Sequence, residues 1–287
     1  MPCSLAAQPV GDDVSPGRRF KMQALRGKRI AFVGVGLMGG ILLERLLDAR
    51  ACEPHQVIVC DPSDSRRAEL EERYGVSAVA DNGRAALADI LILSVPPAAV
   101  LPVLGEIAHQ LAPGQLLIST AAAVPLSALE GTAGPGVAVV RALPNPPSLV
   151  GAGVMLVVRG RSVTGAVRAL ADAILSCWGE AVEIPEDVIN VCAAVTTAMP
   201  AYVESAILAL TDAGVRAGLA RHVALRVAAN TVQGSAALVL RSERPPRVVA
   251  DATPLQPVRA QRMQSLILEA VDVARARMDA LQASLGF

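Results

Sequence analysis

Lys28 to Leu47 reads KRIAFVGVGLMGGILLERLL, and its glycines stand at the spacing needed to hold a phosphate-bearing ligand. Gly34 allows a tight turn off a strand, Gly36 lets backbone N–H groups approach an anion, and Gly39 lets the following helix pack close to the sheet. A dinucleotide pyrophosphate would then rest on the helix N-terminus, over Leu37 and Met38. The surroundings agree with that chemistry. Ile30 to Val33 is a β-branched and aromatic run, Leu37 to Leu47 keeps a helical period, and VIVCD (57–61) is a second strand ending in an acid. Asp61 lies near the roughly 20-residue spacing expected of the group that meets the adenosine ribose. A glycine turn without a cofactor remains the bland alternative, because any strand-to-helix turn can imitate the motif.

The ribose end carries two signals. A carboxylate at Asp61 accepts two ribose hydroxyls and repels a 2′-phosphate, which points to NAD. The following DPSDSRR places Ser63, Arg66 and Arg67 at the start of a helix, where an arginine fork suits a 2′-phosphate, although a solvated helix face explains the same charges. The cofactor is therefore read as NAD(P)H.

The rest of the composition narrows the function class. The 287 residues are 53% hydrophobic, enough for one large or two ordinary domains, and formal net charge is zero, which gives no reason to expect a nucleic-acid or anionic-membrane partner. Aromatic residues make up only 2%, too few for base-stacking platforms. Cys3, Cys52, Cys60, Cys177 and Cys192 have no metal-binding or disulfide-framework spacing, and His55, His109 and His222 are scattered. No metal is expected, and a reducing cytoplasm fits best. Residues 1–27 are read as a disordered extension, neither signal peptide nor anchor.

Strand-like segments recur between helical ones at 78–80, 89–95, 116–120, 137–143 and 154–158, so residues 28–184 read as a Rossmann domain, an α/β doubly wound, mostly parallel sheet. Their continuous apolar character predicts helices on both faces. Residues 185–287 read as an all-helical dimerisation domain, its runs broken at Pro200, at 214–218 and at 245–257. The segment 191–210 is apolar enough to suggest a membrane span, but it carries Pro200, Tyr202 and Glu204 and lacks basic flanks. A helix apolar nearly all round is more often covered by protein, which predicts an intertwined dimer interface.

At this point the chain resembles the pyrroline-5-carboxylate reductase family over nearly all of residues 28–285. SVPPAAV (94–100) is similar to that family's Val-Lys-Pro turn, STAAAV (119–124) to its Ala-Ala-Gly turn, and VVRALPNPPSLVGAG (139–153) to its Arg-x-Met-Pro-Asn segment. Residues 199–240 resemble its Pro-Ala-Tyr helix and the helix after it. The resemblance implies a Rossmann domain, a swapped helical dimer, and hydride transfer from a nicotinamide to a cyclic imine where the two domains meet. It implies that Ser94, Val95 and Pro96 line the nicotinamide side, with Ala121, Ala122 and Asn145 nearby. For the proline pairs, loop rigidity, including a cis proline, is the bland reading.

Two departures bear on the substrate. The family's Ser-Gly-Ser-Gly-Pro stands here as Thr196-Thr197-Ala198-Met199-Pro200, and its Ser-Pro-Gly-Gly-Thr-Thr loop, implied to hold the substrate carboxylate, stands as Thr253-Pro254-Leu255-Gln256-Pro257-Val258. Pro257 has no N–H to offer an anion, so the imine is expected to differ from pyrroline-5-carboxylate. A cyclic imine is basic enough to arrive protonated, so positioning matters more than a strong acid, and Thr197, Tyr202, Thr253 and Gln256 are the candidates to contact it. Two rivals stand beside this reading. A β-hydroxyacid dehydrogenase would want a lysine in the helical domain, where this chain has none, Lys21 and Lys28 both preceding the glycine turn. A dinucleotide-binding sensor without turnover would also show an altered substrate loop.

Overall fold

The computed structural model describes residues 23–252 and 260–287, so Thr253, Gln256 and residues 1–22 of the expected extension lie outside the described residues. The chain divides into two compact units, one running to Ala193 and including Arg277–Phe287, the other Ala194–Ala276.

The first unit is an eight-stranded sheet: β1 (Ile30–Val33), β2 (Val57–Cys60), β3 (Ser77–Val79), β4 (Ile90–Leu93), β5 (Leu116–Ser119), β6 (Ala138–Leu143), β7 (Gly153–Arg159) and β8 (Gly179–Glu183). Their spatial order is β3-β2-β1-β4-β5-β6-β7-β8. Helices α1 (Leu37–Asp48), α2 (Asp64–Tyr74), α3 (Pro97–Ile107), α4 (Leu126–Ala133) and α5 (Gly165–Trp178) complete the unit. Every pairing is parallel except β6 with β7. Residues 144–152 between those two hold only a short 3-10 turn at Pro146–Val150, and a parallel return needs a dozen or more residues and usually a helix.

Alternation within the central strands builds two cores. Ile30 and Phe32 of β1, with Ile90 and Ile92 of β4, pack on one face against Leu42, Leu43, Leu46, Ile174 and Trp178. Ala31 and Val33, with Leu91 and Leu93, pack on the other against Val100, Leu104, Ile107 and Leu129. Both faces are thus covered, as the continuous apolar runs require. Trp178 also donates its Nε1–H to the Leu42 carbonyl at 3.0 Å, fastening α5 to α1.

The second unit contains most of α6 (Ile189–Arg216), all of α7 (Arg221–Ser242) and α8 (Pro246–Asp251), and most of α9 (Ala260–Ser284). Within it Gly214 lets α6 approach α7, since a Cβ there would stand 3.0 Å from the Ala224 methyl. Outward, however, Leu208, Leu210, Leu225, Val227, Leu238, Leu240, Leu266 and Leu268 are all exposed in the single chain. By length and composition the stretches Glu186–Arg216 and Arg221–Ser242 also match membrane-crossing helices.

Three expectations change. Residues 23–27, assigned to the extension, form a turn with Leu25 fully buried, because that side chain fills the core beneath β1. Pro200 does not break its helix: the 28-residue α6 runs through it, and Ala198, Met199 and Ala201 beside it are strong helix formers that work against a local cost of about 3 kcal/mol. The single cut at 184 is replaced by one at Ala193 with a returning C-terminal segment. Its cause is packing: Ile189 and Ala193 bury against Leu143, Leu156 and Val158, while Asn190 bonds Asp279 and Gln282.

An ion pair reinforces that join. Arg141 lies in β6 only 2% exposed and donates to Glu186 Oε1, which also accepts the Leu126 N–H at 2.8 Å at the start of α4. Burial pulls the guanidinium below the ordinary arginine pKa, and the Glu186 carboxylate opposes that pull. Glu186→Gln keeps an acceptor for Leu126 but leaves a buried cation without its counter-charge. We expect it to cost about 3 kcal/mol, read as a lower urea midpoint at unchanged slope. A loss below about 1 kcal/mol would mean the pair behaves as a surface pair.

Candidate dinucleotide-binding site

The strand order reverses between β1 and β4, and ligands of open α/β sheets bind beyond the carboxyl ends of the strands at such a point. Gly34 to Gly39 leave β1 there, and Ser94 to Pro96 leave β4 there. Gly34 has φ +79°, and a Cβ on it would come within 2.6 Å of Val95 Cγ1 and 2.9 Å of the Ser94 carbonyl oxygen. At Gly39 a Cβ would stand 2.5 Å from the Gly34 carbonyl oxygen and 3.2 Å from the Ser94 side chain. Both are therefore glycine because the protein itself fills the space. Gly36 differs. A Cβ there meets nothing within 4 Å, and as N-cap of α1 the residue supplies no side-chain hydrogen bond.

The first turn of α1 also lacks an acidic residue, and Leu37 is 84% exposed. An open glycine, uncapped amides and the positive end of a helix dipole are the features that fit a pyrophosphate. Met38 instead turns inward against the core.

Val35 is the residue that fixes this turn. Its N–H donates to Asp61 Oδ2 at 3.1 Å, and its carbonyl accepts Arg66 Nε at 2.9 Å. Asp61 Oδ1 accepts the Ser63 N–H at 3.0 Å, and Ser63 Oγ accepts the Arg66 N–H at 3.3 Å as the N-cap of α2. The turn after β1 is thus held by the turn after β2.

On the other side, the Thr120 hydroxyl donates to Ser94 Oγ at 3.0 Å. Ala121 is buried, Ala122 is half-buried, and Ala123 sits at φ +66°, a left-handed conformation costing a non-glycine residue about 1 kcal/mol. Pro96 is exposed as the N-cap of α3. Asn145 is nearly buried, and its Oδ1 accepts the Val154 N–H at 2.9 Å, so that oxygen holds the β6–β7 connection. In the helical unit Thr197 and Tyr202 both lie on α6 and are exposed in the single chain, Tyr202 by 38%.

Sequence reasoning missed Val35, Thr120, Ala123 and the Arg141–Glu186 pair. Only the last left a signal, a charged residue inside an otherwise apolar strand. Among the described residues no cluster of His, Cys, Asp and Glu could hold a metal. Burial pushes the Cys60 thiol up to about 11 and the Cys52 thiol up to about 12, which keeps both protonated and weakly nucleophilic at neutral pH.

The three glycines separate by experiment. Gly36→Ala should fold with a loss of no more than about 1 kcal/mol, the cost of a poorer N-cap, yet bind a dinucleotide weakly because its methyl enters the ligand space. Gly39→Ala must displace backbone and should lose roughly 2 kcal/mol or more of stability as well. Thermal unfolding and dinucleotide titration of the two variants check this. Equal destabilisation with unchanged binding would remove Gly36 from the site.

Residues 29–123 match the family described as NADP oxidoreductase coenzyme F420-dependent, and residues 186–284 match the pyrroline-5-carboxylate reductase dimerisation family. The pyrroline-5-carboxylate reductase of Synechocystis is 36% identical over 224 residues, covering 78% of this chain and 83% of that protein. The Escherichia coli enzyme is 36% identical over 225 residues, covering 78% and 84%. Among solved structures, Plasmodium falciparum pyrroline carboxylate reductase with NADP bound superposes at a TM-score of 0.76 with 26% identity, over 89% of this chain and 98% of that one. A pyrroline-5-carboxylate reductase from Coxiella burnetii does so at 0.76 with 27% identity, over 88% and 98%. The dimerisation match covers the helices with uncovered apolar faces, in keeping with a homo-oligomer. With this identity and coverage, the chain belongs to the pyrroline-5-carboxylate reductase family, whose members are NAD(P)H-dependent oxidoreductases acting on a C=N bond.

Proposed function

We propose that this chain reduces the C=N bond of a pyrroline-type cyclic imine with NAD(P)H, working in the cytoplasm as a homodimer with intertwined helical units. The observation that carries the reading is the 36% identity to pyrroline-5-carboxylate reductases along most of both chains. Pyrroline-5-carboxylate is therefore the reference substrate. The cysteine spacing, which makes no disulfide framework, suits a reducing compartment.

In this reading Gly34, Gly36, Leu37 and Gly39 hold the pyrophosphate, Asp61 meets the ribose, and Ser94 to Pro96 with Ala121 and Ala122 border the ring that carries the hydride. The dinucleotide, when bound, supplies the hydride. The protein's work is then to orient the two rings and exclude water, because a cyclic imine arrives with its nitrogen protonated. Thr197, Tyr202, Thr253 and Gln256 are the candidates to contact the imine nitrogen or the substrate's polar groups.

A second reading is favoured by one observation, the sequence Thr253-Pro254-Leu255-Gln256-Pro257-Val258. It offers no glycine amides and loses an N–H at Pro257, so it suits an imine without a carboxylate. Absorbance loss from NADH or NADPH with a panel of cyclic imines separates the readings. Comparable or higher kcat/KM on pyrroline-5-carboxylate than on 1-pyrroline supports the reference substrate. A preference of about tenfold or more for the carboxylate-free imine, the size of one lost charged hydrogen bond, supports the second. Tight dinucleotide binding with no oxidation by any imine would contradict both and support a sensor without turnover.

A further inference from the structure

We infer that the adenosine end of the site selects the dinucleotide with a free 2′-hydroxyl, so that the chain prefers NADH to NADPH, with Asp61 as the selecting residue. The inference rests on the reading that a dinucleotide lies on the glycine turn, and it goes further by naming which one.

Asp61 follows β2 directly, and its own N–H is held by the Val79 carbonyl at 3.1 Å. Its two carboxylate oxygens take one backbone N–H each, from Val35 and from Ser63. A carboxylate has about four acceptor sites, so roughly two remain for the two hydroxyls of a ribose. The two backbone donors also fix the carboxylate beside the glycine turn. Rotating it away would forfeit the Val35 bond that holds the turn. A 2′-phosphate would meet a fixed like charge at that place, whereas a ribose diol meets two acceptors.

A site for the 2′-phosphate needs an arginine fork free to turn toward it. Arg66 is committed to the Val35 carbonyl and to Glu69 Oε2 at 2.7 Å, and its Nη2 lies 2.8 Å from where a Cβ on Gly40 would stand, against α1. Arg67 donates to the Asp61 carbonyl at 2.7 Å and pairs with Asp64. Each guanidinium thus already serves one backbone carbonyl and one carboxylate. Swinging Arg66 toward a phosphate would release the Val35 carbonyl and loosen the cradle that the same ligand needs. The Ser63 hydroxyl caps α2 and also bonds the Ser65 hydroxyl at 3.0 Å.

Trp178 is the only tryptophan, is fully buried, and bonds α1, so it reports binding without turnover. Reduced nicotinamide absorbs where tryptophan emits, and the full-length protein can be titrated with NADH and NADPH by energy transfer. NADH should bind at least about tenfold more tightly, and Asp61→Asn should shrink that ratio to about twofold or reverse it, because the charge that discriminates is gone while an acceptor for Val35 remains. Asp61→Ala, checked for folding by circular dichroism, should do the same. NADPH binding as tightly as NADH to the unaltered protein would overturn the inference. So would an NADH preference that survives Asp61→Asn. Failure of both dinucleotides to bind would instead remove the underlying reading of the glycine turn, a result distinct from a wrong choice between them.

Discussion

The dinucleotide site proposed for this protein depends on how the peptide groups of Val35 are held. One residue of a glycine turn has its N–H on the Asp61 carboxylate and its carbonyl on the Arg66 guanidinium, so a loop that would otherwise be free is locked from both sides. A turn containing Gly34 and Gly36 gives up more backbone freedom on ordering than ordinary residues do. Charge-assisted hydrogen bonds to a backbone already anchored on β1 and β2 offset that cost before any ligand arrives. The uncapped amides of α1 are thereby presented in fixed positions, and preorganisation of this kind spares binding energy.

The same economy shapes the remainder of the first unit. Two cores on opposite faces of one sheet bring the carboxyl ends of β1 and β4 to a common edge, and Gly39 lets α1 pack within reach of Ser94. At the far side of the sheet, Arg141 and Glu186 tie β6 and α4 to the segment that leads into α6. The helical unit follows a different physical logic. Its helices expose leucines and valines that a lone chain leaves in water, and the same residues fall within the match to the dimerisation family, 186–284.

Much of this was legible in the residues. Glycine spacing, the acid after β2 and unbroken apolar strands identify a dinucleotide fold because each follows from local geometry. Leu25 was hidden, since one apolar side chain in a polar stretch has no period to reveal it. The continuity of α6 through Pro200 was hidden as well, because a single-residue rule competes with the propensity of 28 residues and loses. Val35 could not be singled out from sequence. Its role is carried by backbone atoms, and the partners at 61 and 66 come close only through the β1–β2 pairing. The arginines illustrate the same limit: their number suggests a phosphate site, whereas their commitments to Val35, Glu69, Asp61 and Asp64 depend on where α2 begins.

The most direct measurement is amide hydrogen exchange across residues 34–40 of the full-length protein with and without NADH. If the locked turn is the anion cradle, the amides of Gly36, Leu37 and Met38 should slow sharply on binding, while that of Val35, already bonded to Asp61, should be slow in both states. Unchanged exchange at these positions with protection elsewhere, or a Val35 amide that exchanges freely without ligand, would contradict a preorganised pyrophosphate site held by Asp61 and Arg66.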